Sequence, residues 1–483
     1  MNARIRTRFA PSPTGFIHLG GIYAALFTYA FAKHNNGDFI LRIEDTDRSR
    51  FVEGAEEAIN EALHWVGLVP DESPIKGGDY GPYRQSERLD IYKKYVQELL
   101  ENGHAYYAFE TQEELSQMRT EQERARKTPK YDRSALKLTT SDIEEKLARG
   151  ENHVIRLKVP DDREITFTDL LRGEITIPSD AIDDQVLMKS DGFPTYHLAV
   201  VVDDHLMEIS HVIRAEEWIS STPKHVLLYE MFGWEIPAFA HVPDIRDESR
   251  AKLAKRMGHA SLDWYRKEGF LPQALLNYLS QQGWSHPEEK EFFDLSEFTK
   301  LFTFERMVTS APVANLEKLT FMNGHYIREM DAEKLVKHLV DFEPELAKVE
   351  TEYLKAVVTL EQERAHTLKE FVEKSKFFFA TELVFTKEVL IQKGRESEET
   401  VKVLQASKEL VSNCDEWSIT GLETSFEKLL TEFPDFNKRD FFMTIRGAVS
   451  GQSATPPLFD MLFVLGKDRV VSRLSAAIKF LLQ

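Results

Sequence analysis

A histidine followed by a pair of glycines stands near the N-terminus, in Pro11-Ser12-Pro13-Thr14-Gly15-Phe16-Ile17-His18-Leu19-Gly20-Gly21. His18 can donate to a phosphate oxygen, and Gly20 and Gly21 let a base or a phosphate come close to the backbone. Glycines that open a helix also present free backbone N–H groups and the positive end of the helix dipole. The pattern predicts an anion site, and an ordinary strand–loop–helix junction with a capping histidine is an equally good interpretation.

Charged residues also follow two other short apolar runs. Arg42-Ile43-Glu44-Asp45-Thr46-Asp47 continues the run Phe39–Ile43, and Ile213-Arg214-Ala215-Glu216-Glu217-Trp218 continues the run Ile209–Ile213. Ligands of open parallel sheets lie beyond the carboxyl ends of the strands, so Arg8 and Glu44 would face one crevice. Turn chemistry is the commoner explanation of an acidic cluster at a strand end.

A polar loop further along the chain carries five basic residues, in Arg246-Asp247-Glu248-Ser249-Arg250-Ala251-Lys252-Leu253-Ala254-Lys255-Arg256. Lys252 and Lys255 are three residues apart and could hold a triphosphate whose charge shifts during a reaction. Without the other motifs, a solvated basic turn is the better interpretation. Asp203, Asp204 and His205 have side chains typical of metal ligands, but their adjacent spacing favours a structural role.

Hydrophobic periodicity predicts the elements that position these residues. The predicted strands are Ile5–Phe9, Phe39–Ile43, Val154–Val159, Ile165–Phe167, Glu174–Ile177, the buried run Leu198–Val202 and Ile209–Ile213. The predicted helices are Ile22–Lys33, Glu53–Trp65, Glu87–Glu101 with Ser86 as its N-cap, Gln112–Lys127, the segment around Lys224–Met231 with Thr222 as its N-cap and Pro223 in its first turn, Asp331–Val340, Glu352–Phe378 and Glu398–Val411. This order predicts an α/β fold with a doubly wound parallel sheet, an inserted α+β subdomain and an all-α C-terminal region.

Composition narrows the class of protein. The 483 residues are 42% hydrophobic and 29% charged, as in a soluble globular protein with several domains. Cys414 is the one cysteine, which excludes an internal disulfide framework and a cysteine-rich metal cluster. The sequence shows neither a secretory signal nor an apolar run of membrane-spanning length, so we expect a cytoplasmic protein without membrane partners.

The charge distribution is uneven. A net charge of −19 argues against a general polyanion binder. The segment 438–483 is net positive, with three acidic residues against seven basic ones, Lys438, Arg439, Arg446, Lys467, Arg469, Arg473 and Lys479. Local binding of nucleic acid through this segment is possible, and a solvated helical face is the alternative.

Taken together, the motifs resemble those of the class I aminoacyl-tRNA synthetases. Pro11–Gly15 with His18–Gly21 resembles their HIGH-type signature, and Lys252–Arg256 resembles their KMSKS-type loop. The segments Arg42–Asp47 and Ile213–Trp218 narrow the resemblance to the bacterial-type glutamyl-tRNA synthetases. The four motifs occur in the family's order, and the resemblance extends over essentially the whole chain.

The resemblance implies a fold, an activity and a set of partners. The enzyme would join L-glutamate to tRNA through glutamyl-adenylate, with ATP as substrate and Mg²⁺ accompanying it, and would transfer the glutamyl group to the 2′-hydroxyl of the terminal adenosine. Rossmann-type catalytic halves are expected at 1–105 and 189–245, an acceptor-binding subdomain at 106–188, a stem-contact region with the KMSKS-type loop at 246–322 and a helical anticodon-binding domain at 323–483. The basic end from Arg446 to Arg473 would belong to the last of these, with phosphate contacts that make binding salt-dependent.

The resemblance also implies the site residues. Those expected to bind glutamate are Arg8, Phe9, Ala10, Ser12, Glu44, Tyr196 and Arg214, with Glu44 on the ammonium group. Those expected to bind ATP are His18, Gly20, Gly21, Glu217, Ile245 and Lys255, and the catalytic residues would be His18, Lys252 and Lys255.

The sequence departs from the family pattern in two places. Ala254 stands where the KMSKS-type loop usually has a hydroxyl residue, which removes a hydrogen bond worth about 1 kcal/mol. Some relatives carry a zinc-binding cysteine cluster in the inserted subdomain, whereas Tyr107–Glu110 and Tyr131–Ser134 contain no cysteine. We therefore expect no zinc and no other resident metal.

Alternatives remain at this point. A glutaminyl-tRNA synthetase, or the shortened relative that modifies a tRNA base, shares the ATP machinery, and a non-enzymatic RNA-binding protein would explain the basic C-terminal segment. The pair of Arg8 and Arg214 disfavours the glutaminyl enzyme, and the helical C-terminal region disfavours the shortened relative. The charged residues at the strand ends disfavour the non-enzymatic RNA-binding protein. The sequence leaves open whether tRNA for glutamine is charged as well as tRNA for glutamate. Nothing in it demands a partner subunit, so a monomer is expected.

Overall fold

The computed structural model describes residues 4–15, 17–251 and 261–483. Lys252, Lys255 and the rest of the predicted KMSKS-type loop lie outside the described residues. The chain divides into two compact units, residues 1–265 with 275–315 and residues 266–274 with 316–483.

Parallel strands form the centre of the first unit. Strand β1 (Arg6–Phe9) pairs in parallel with β2 (Asp38–Leu41), and helix α1 (Leu19–His34) connects them. Strand β8 (His211–Ala215) pairs in parallel with β9 (Ala238–Val242). The N–H of Ser210 donates to the carbonyl of Arg6 at 3.0 Å and joins β8 to β1. The predicted parallel α/β arrangement is therefore confirmed.

The sequence explains where α1 begins and ends. His18 is its N-cap, because the Nδ1 atom accepts the N–H of Gly20 at 3.1 Å. The helix ends before Asn35 and Asn36, and Gly37 follows. A Cβ atom at Gly37 would overlap the carbonyl oxygen of Ile5, so only glycine lets the chain return to the sheet there.

The predicted strand at Leu198–Val202 is wrong, because this run lies in helix α6 (Tyr196–Leu206). Every residue from Leu198 to Asp204 is buried, so the helix shows no polar face that would reveal its period. A short apolar run does not by itself distinguish a buried strand from a buried helix. The structural interpretation of Asp203 and Asp204 is supported, since both carboxylates bind buried partners.

The region 106–188 contributes to two sheets. Strands β3 (Ala105–Ala108), β4 (Val154–Leu157) and β7 (Val186–Met188) form an antiparallel sheet. The hairpin of β5 (Glu164–Asp169) and β6 (Gly173–Pro178) joins a different sheet, in the order β6-β5-β9-β8. Its register places Asp169 opposite Phe239 of β9. Two of the three predicted inserted strands, β5 and β6, thus extend the sheet that carries Arg214.

The other helices of residues 1–315 are α2 (Ala55–Val66), α3 (Leu89–Glu101), α4 (Gln112–Arg124), α5 (Thr140–Ala148), α7 (Thr222–Phe232), α8 (Leu262–Lys267), α9 (Pro272–Gly283) and α10 (Leu295–Leu301). Two predicted N-caps are wrong. Ser86 lies inside a 3-10 turn before α3, where its N–H donates to Asp45. Thr222 is the first residue of α7. Its hydroxyl accepts from Arg214 and donates to the carbonyl of Trp218 instead of capping the helix. Pro223 lies in the first turn, as predicted.

The second unit is helical. Its helices from residue 316 onward are α11 (Leu316–Glu329), α12 (Ala332–Phe342), α13 (Thr351–Glu361), α14 (Leu368–Phe379), α15 (Lys387–Leu390), α16 (Ser397–Ser412), α17 (Ile419–Leu430), α18 (Lys438–Ser450), α19 (Leu458–Leu465) and α20 (Lys467–Leu481). The predicted single helix Glu352–Phe378 is two helices, because Thr367 caps the start of α14. None of the helices in the described part of the chain has both the length and the apolar character needed to cross a membrane.

Arg473 does not belong to a basic surface, although the sequence suggested one at this end of the chain. The side chain is buried and donates to the carbonyls of Val449, Phe377 and Ala380, near the ends of α18 and α14. These carbonyls have no partner within their helices, so the guanidinium satisfies acceptors that would otherwise be buried without one.

Candidate active site

A buried network of charges lies at the carboxyl ends of β1 and β2. Arg8 donates to Asp204 through Nε and Nη2, at 3.0 and 3.2 Å. Arg42, whose side chain is fully buried, donates to Asp204 at 2.7 Å and to Glu44 at 3.0 Å. One carboxylate from α6 therefore joins the charged residues of both strands.

The two carboxylates in this network differ in pKa. Burial raises the pKa of Glu44 to about 7, and the neighbouring Arg42 and Arg8 only partly oppose the shift. Burial also acts on Asp204, but Arg8 and Arg42 hold the pKa of that carboxyl below its usual value. Glu44 can therefore gain or lose a proton near neutral pH, whereas Asp204 stays charged.

The predicted glutamate-binding loop runs beside Glu44. The N–H of Glu44 donates to the carbonyl of Pro11 at 3.0 Å, and the N–H of Arg42 donates to the carbonyl of Phe9 at 3.0 Å. These bonds place half-buried Ala10 and exposed Ser12 next to the charged network. The ring of Phe9 lies against the first turn of α1, 3.6 Å from the place a Cβ of Gly21 would take.

Arg214 is a buried arginine whose hydrogen-bond acceptors are all neutral. Its Nε donates to His241, its Nη2 to Thr222, and its Nη1 to Tyr196 and His225, at 2.8 to 3.2 Å. Among the described residues, no carboxylate forms an ion pair with it, although it is only 7% exposed. Burial lowers the pKa of Arg214 accordingly. An anion brought by a ligand would compensate this charge.

Tyr196 links Arg214 to the charged network. Its hydroxyl accepts from Arg214 at 3.1 Å, and its ring lies 4.4 Å from the Trp218 ring, measured between centroids. Burial raises the pKa of Tyr196, and the nearby charges of Arg214, Glu44 and Arg8 also act on it. The structure thus brings together Arg8, Glu44, Tyr196 and Arg214, which were predicted from segments far apart in the sequence.

The glycine pair at the start of α1 is not required by the packing of the described residues. A Cβ at Gly20 would lie 3.4 Å from His18, and one at Gly21 would lie 3.5 Å from Ile17. Both distances are ordinary contacts, and neither glycine has a positive φ angle. The capping interpretation of His18 is correct for its Nδ1 atom, and it leaves the glycines without a structural reason.

The predicted nucleoside contacts lie at the carboxyl ends of β8 and β9. Glu217 is exposed in the 3-10 turn that follows β8, and Ile245 is buried shortly after β9. Burial raises the pKa of Tyr23 in α1, and the charges of Glu216 and Asp244 add to the shift. The first turns of α1 therefore lie near both strand ends.

Lys252 and Lys255 fall in the segment that the structure does not describe, but the residues on either side of it are placed. Ser261 forms a β-bridge with His18, and the N–H of Leu262 donates to the carbonyl of Ile17 at 3.2 Å. On the other side, Asp247 Oδ1 accepts the N–H of Ala251 at 3.0 Å. Ser261 and Leu262 therefore lie beside the HIGH-type motif.

Metal ligands do not cluster in the described part of the chain. Within residues 4–15, 17–251 and 261–483, no group of three or more His, Cys, Asp or Glu side chains could hold a metal ion. Tyr131 and Ser134 instead donate to Glu110 at 2.8 and 2.9 Å. Hydrogen bonds to the Glu110 carboxylate therefore join the two cysteine-free segments of the inserted region.

Sequence reasoning missed several residues that surround Arg214 and Arg8. They are Arg42, Asp169, Thr222, His225 and His241. Arg42 and His241 each stand next to a buried apolar run, and a charged or polar residue in that position could have drawn attention to them. Nothing in the sequence indicated that Asp169 belongs near β9.

Two family models match the chain. Residues 4–321, more than half of the chain, match the model described as "tRNA synthetases class I (E and Q), catalytic domain". The chain belongs to the class I tRNA synthetases of the E and Q type. Residues 332–478 match the model of an anticodon binding domain, which spans α12 to most of α20 in this synthetase.

Individual relatives agree with this assignment. The synthetase is 47% identical to the glutamate–tRNA ligase of Thermus thermophilus, over 98% of this chain and 99% of that protein. It is 42% identical to the glutamate–tRNA ligase of Acinetobacter baylyi, over 99% of this chain and 94% of that protein. A crystal structure of a glutamate tRNA ligase from Elizabethkingia meningosepticum in complex with its amino acid matches with a TM-score of 0.89 and 38% identity, covering 99% of this chain and 100% of that chain.

Proposed function

We propose that the protein is an ATP-dependent glutamate–tRNA ligase that works through glutamyl-adenylate. The observation that carries the proposal is the state of Arg214, a buried cation whose acceptors, the Trp218 carbonyl included, are all neutral. Among the described residues, no carboxylate forms an ion pair with it. Arg8 and Glu44 belong to the network that adjoins it through Tyr196. A ligand with two carboxylates and one ammonium group complements this group of charges.

Charge is the reason for preferring glutamate to glutamine. A guanidinium pairs with a carboxylate through two parallel hydrogen bonds, whereas an uncharged amide leaves the buried positive charge uncompensated. Arg8 already has Asp204 as a counterion, and Arg42 has Asp204 and Glu44. Arg214 would therefore take one of the two carboxylates of glutamate, and the side-chain carboxylate is the one that glutamine lacks.

The first step is phosphoryl-centre chemistry in which positioning matters most. An oxygen of the α-carboxylate attacks the α-phosphorus of ATP, a new C–O–P bond forms, and the bond to the β-phosphate breaks to release pyrophosphate. No covalent enzyme intermediate is needed, so the protein must orient the two reactants and neutralise the leaving charge. Arg8 and Glu44 would orient the amino acid, with the Glu44 carboxylate on the ammonium group and Ala10 and Ser12 beside it.

ATP would occupy the region between α1 and the carboxyl ends of β8 and β9. Gly20 and Gly21 allow a close approach of the base or the phosphates, and His18 stands two residues before Gly20. Glu217 and Ile245 are the proposed nucleoside contacts. Lys252 and Lys255 would neutralise the pyrophosphate, and Mg²⁺ would arrive with the nucleotide as part of the substrate.

Transfer to tRNA is the second step. The 2′-hydroxyl of the terminal adenosine attacks the carbonyl carbon of the adenylate, and AMP leaves. The region 106–188 would contact the acceptor end, and the helical unit from residue 316 onward would read the anticodon, where unpaired bases are recognised by stacking and hydrogen bonds. We propose tRNA for glutamate as the substrate. Whether tRNA for glutamine is also charged is determined by the aminoacylation experiment below.

Glutamate-dependent ATP–pyrophosphate exchange, measured with and without tRNA, tests the activity. Exchange with glutamate that is much faster than with glutamine supports the proposal, and absence of exchange under both conditions would refute it. Aminoacylation of purified tRNA for glutamate and tRNA for glutamine, each alone, then determines tRNA specificity. Lys93→Ala is a suitable control, because this lysine is 59% exposed and pairs with Asp90 one helical turn away in α3, outside the proposed tRNA-contacting regions.

A further inference from the structure

The hydrogen bond from Arg214 Nε determines the tautomer of His241. Arginine carries no acceptor, so its Nε–H must donate to Nε2 of the ring, at 3.1 Å. The ring proton of neutral His241 is then on Nδ1, and it donates to Asp169 Oδ2 at 2.6 Å. The N–H of His241 also donates to the same carboxylate oxygen, at 3.0 Å. Asp169 thereby holds the imidazole ring so that the lone pair of His241 Nε2 faces Arg214.

The second imidazole follows the same logic. Arg214 Nη1 donates to Nδ1 of His225 at 3.2 Å, so the proton of the neutral His225 ring is on Nε2. That proton donates to Nδ1 of His197 at 3.0 Å. The hydrogen bonds therefore run from Arg214 to His225 and from His225 to His197, and each neutral histidine accepts at Nδ1.

Neutral histidines fit the electrostatics around them. Burial lowers the pKa of all three imidazoles, that of His197 to about 3, and the charge of Arg214 opposes protonation of each. Other positive charges face the rings: Lys224 acts on His197 and His225, Arg8 on His225, and Arg172 on His241. Asp169 is the negative group at His241, and its hydrogen bond is satisfied by the neutral Nδ1–H tautomer.

We propose that His225 and the Asp169–His241 pair are positioning residues that determine amino-acid specificity by holding Arg214 with neutral acceptors only. Buried Arg473 of the helical unit donates to backbone carbonyls, but Arg8 and Arg42, the other two buried arginines of this site, each have a carboxylate partner from the protein. Replacing such a partner by imidazole lone pairs fixes the direction of the guanidinium and leaves its charge for the carboxylate of the substrate. This inference rests on the proposed function and assigns the selection of glutamate over glutamine to residues that do not contact the amino acid.

His225→Asp against His225→Asn is the matched test. Both variants keep an acceptor oxygen near Arg214, and only His225→Asp supplies a charge. We expect His225→Asp to lower kcat/KM for glutamate in pyrophosphate exchange by about 100-fold, the order of a close buried charge pair. We expect kcat/KM for glutamine to change by less than about threefold, so that the glutamate-to-glutamine ratio falls, and His225→Asn to keep that ratio within about threefold of wild type. Equal losses for both amino acids in His225→Asp, or an equal fall of the ratio in His225→Asn, would overturn the proposal.

Asp169→Asn provides an independent test, which decides the matter alone if His225→Asp does not fold. An amide at 169 turns an NH2 group either toward His241 or toward the N–H groups of Leu171 and Arg172, so it no longer fixes the ring proton on Nδ1. We expect the glutamate-to-glutamine ratio to fall, and the double variant Asp169→Asn/His241→Gln to regain it, because the glutamine oxygen accepts from Arg214 without help from residue 169. Asp169 also accepts the N–H groups of Leu171 and Arg172, and damage to that turn would not be rescued by His241→Gln. An unchanged ratio in Asp169→Asn would refute the positioning role, and a fall without rescue would assign the effect to that turn and not to His241. Absence of exchange in the wild-type enzyme would refute the proposed function instead.

Discussion

Asp204 binds Arg8 with both of its carboxylate oxygens, at 3.0 Å to Nε and 3.2 Å to Nη2. The same carboxylate accepts from Arg42 at 2.7 Å, so two buried arginines depend on it. Asp204→Asn would leave both with insufficient negative charge, and we expect the free energy of unfolding to fall by about 3–5 kcal/mol. Urea unfolding measures this change.

Asp47→Asn is the control for this substitution. Asp47 pairs with Arg50, and both side chains are well exposed, so its loss should cost no more than about 1 kcal/mol. If Asp204→Asn costs no more than Asp47→Asn, the network does not stabilise the fold in the way described here.

The raised pKa of Glu44 predicts a pH dependence of glutamate binding. With a pKa of about 7, Glu44 loses its negative charge as the pH falls through neutrality, and the ammonium group of glutamate loses its partner. We expect the glutamate KM in pyrophosphate exchange to rise about tenfold between pH 8 and pH 6. In Glu44→Gln, the KM should be high at both values and nearly independent of pH. A flat profile in the wild-type enzyme would contradict the assignment.

The capping and nucleotide roles of His18 can be separated. His18→Ala removes the acceptor for the Gly20 N–H and should destabilise the protein by about 1 kcal/mol. His18→Asn keeps a good N-cap side chain and should preserve stability. Both variants should slow adenylate formation if the imidazole contacts the phosphates. Full activity in His18→Asn would mean that His18 acts as a helix cap and not as a nucleotide contact.

Arg214→Ala should raise the KM for glutamate strongly while the ATP KM stays close to its original value. Arg214→Lys should restore little of the loss, because an ammonium group cannot satisfy acceptors in four directions or pair with a carboxylate through two bonds. Steady-state exchange at varied glutamate, with Lys93→Ala as the control, measures the effect. An unaltered glutamate KM would remove Arg214 from the pocket.

Lys255→Ala should lower the rate of adenylate formation with little loss of glutamate affinity. Its proposed partner is the pyrophosphate group, whose negative charge grows as the bond to the α-phosphate breaks. Single-turnover formation of adenylate, together with the glutamate KM, distinguishes this role from ground-state binding. Unchanged turnover would mean that the loop assignment is wrong.

Much of the candidate site was predictable because its residues stand at strand ends. The run Ile5–Phe9 alternates apolar and polar residues, and Phe39–Ile43 and Ile209–Ile213 are short, mainly apolar runs followed by charged residues. The structure places strands at all three. Parallel strands bring their carboxyl ends to one edge, so Arg8, Glu44 and Arg214 meet without any further local signal.

The surroundings of Arg214 were not predictable, because they depend on pairing over long distances in the chain. His241 and Asp169 are 72 residues apart, and only the pairing of β5 with β9 brings them together. Helix α6 was missed for a different reason: it is buried on all sides, and periodicity is visible only where one face meets water. Both failures concern elements that lie behind the binding residues and support them.

The pairing of β5 with β9 has a consequence for engineering this enzyme. A chimera that exchanged residues 106–188 as a block, to borrow another acceptor-end specificity, would also exchange Asp169 and the strand that carries it. Such a graft would alter the support of Arg214 together with the tRNA contacts. Two smaller exchanges, of 109–153 and of the tip between β5 and β6, would leave that support with its original sheet.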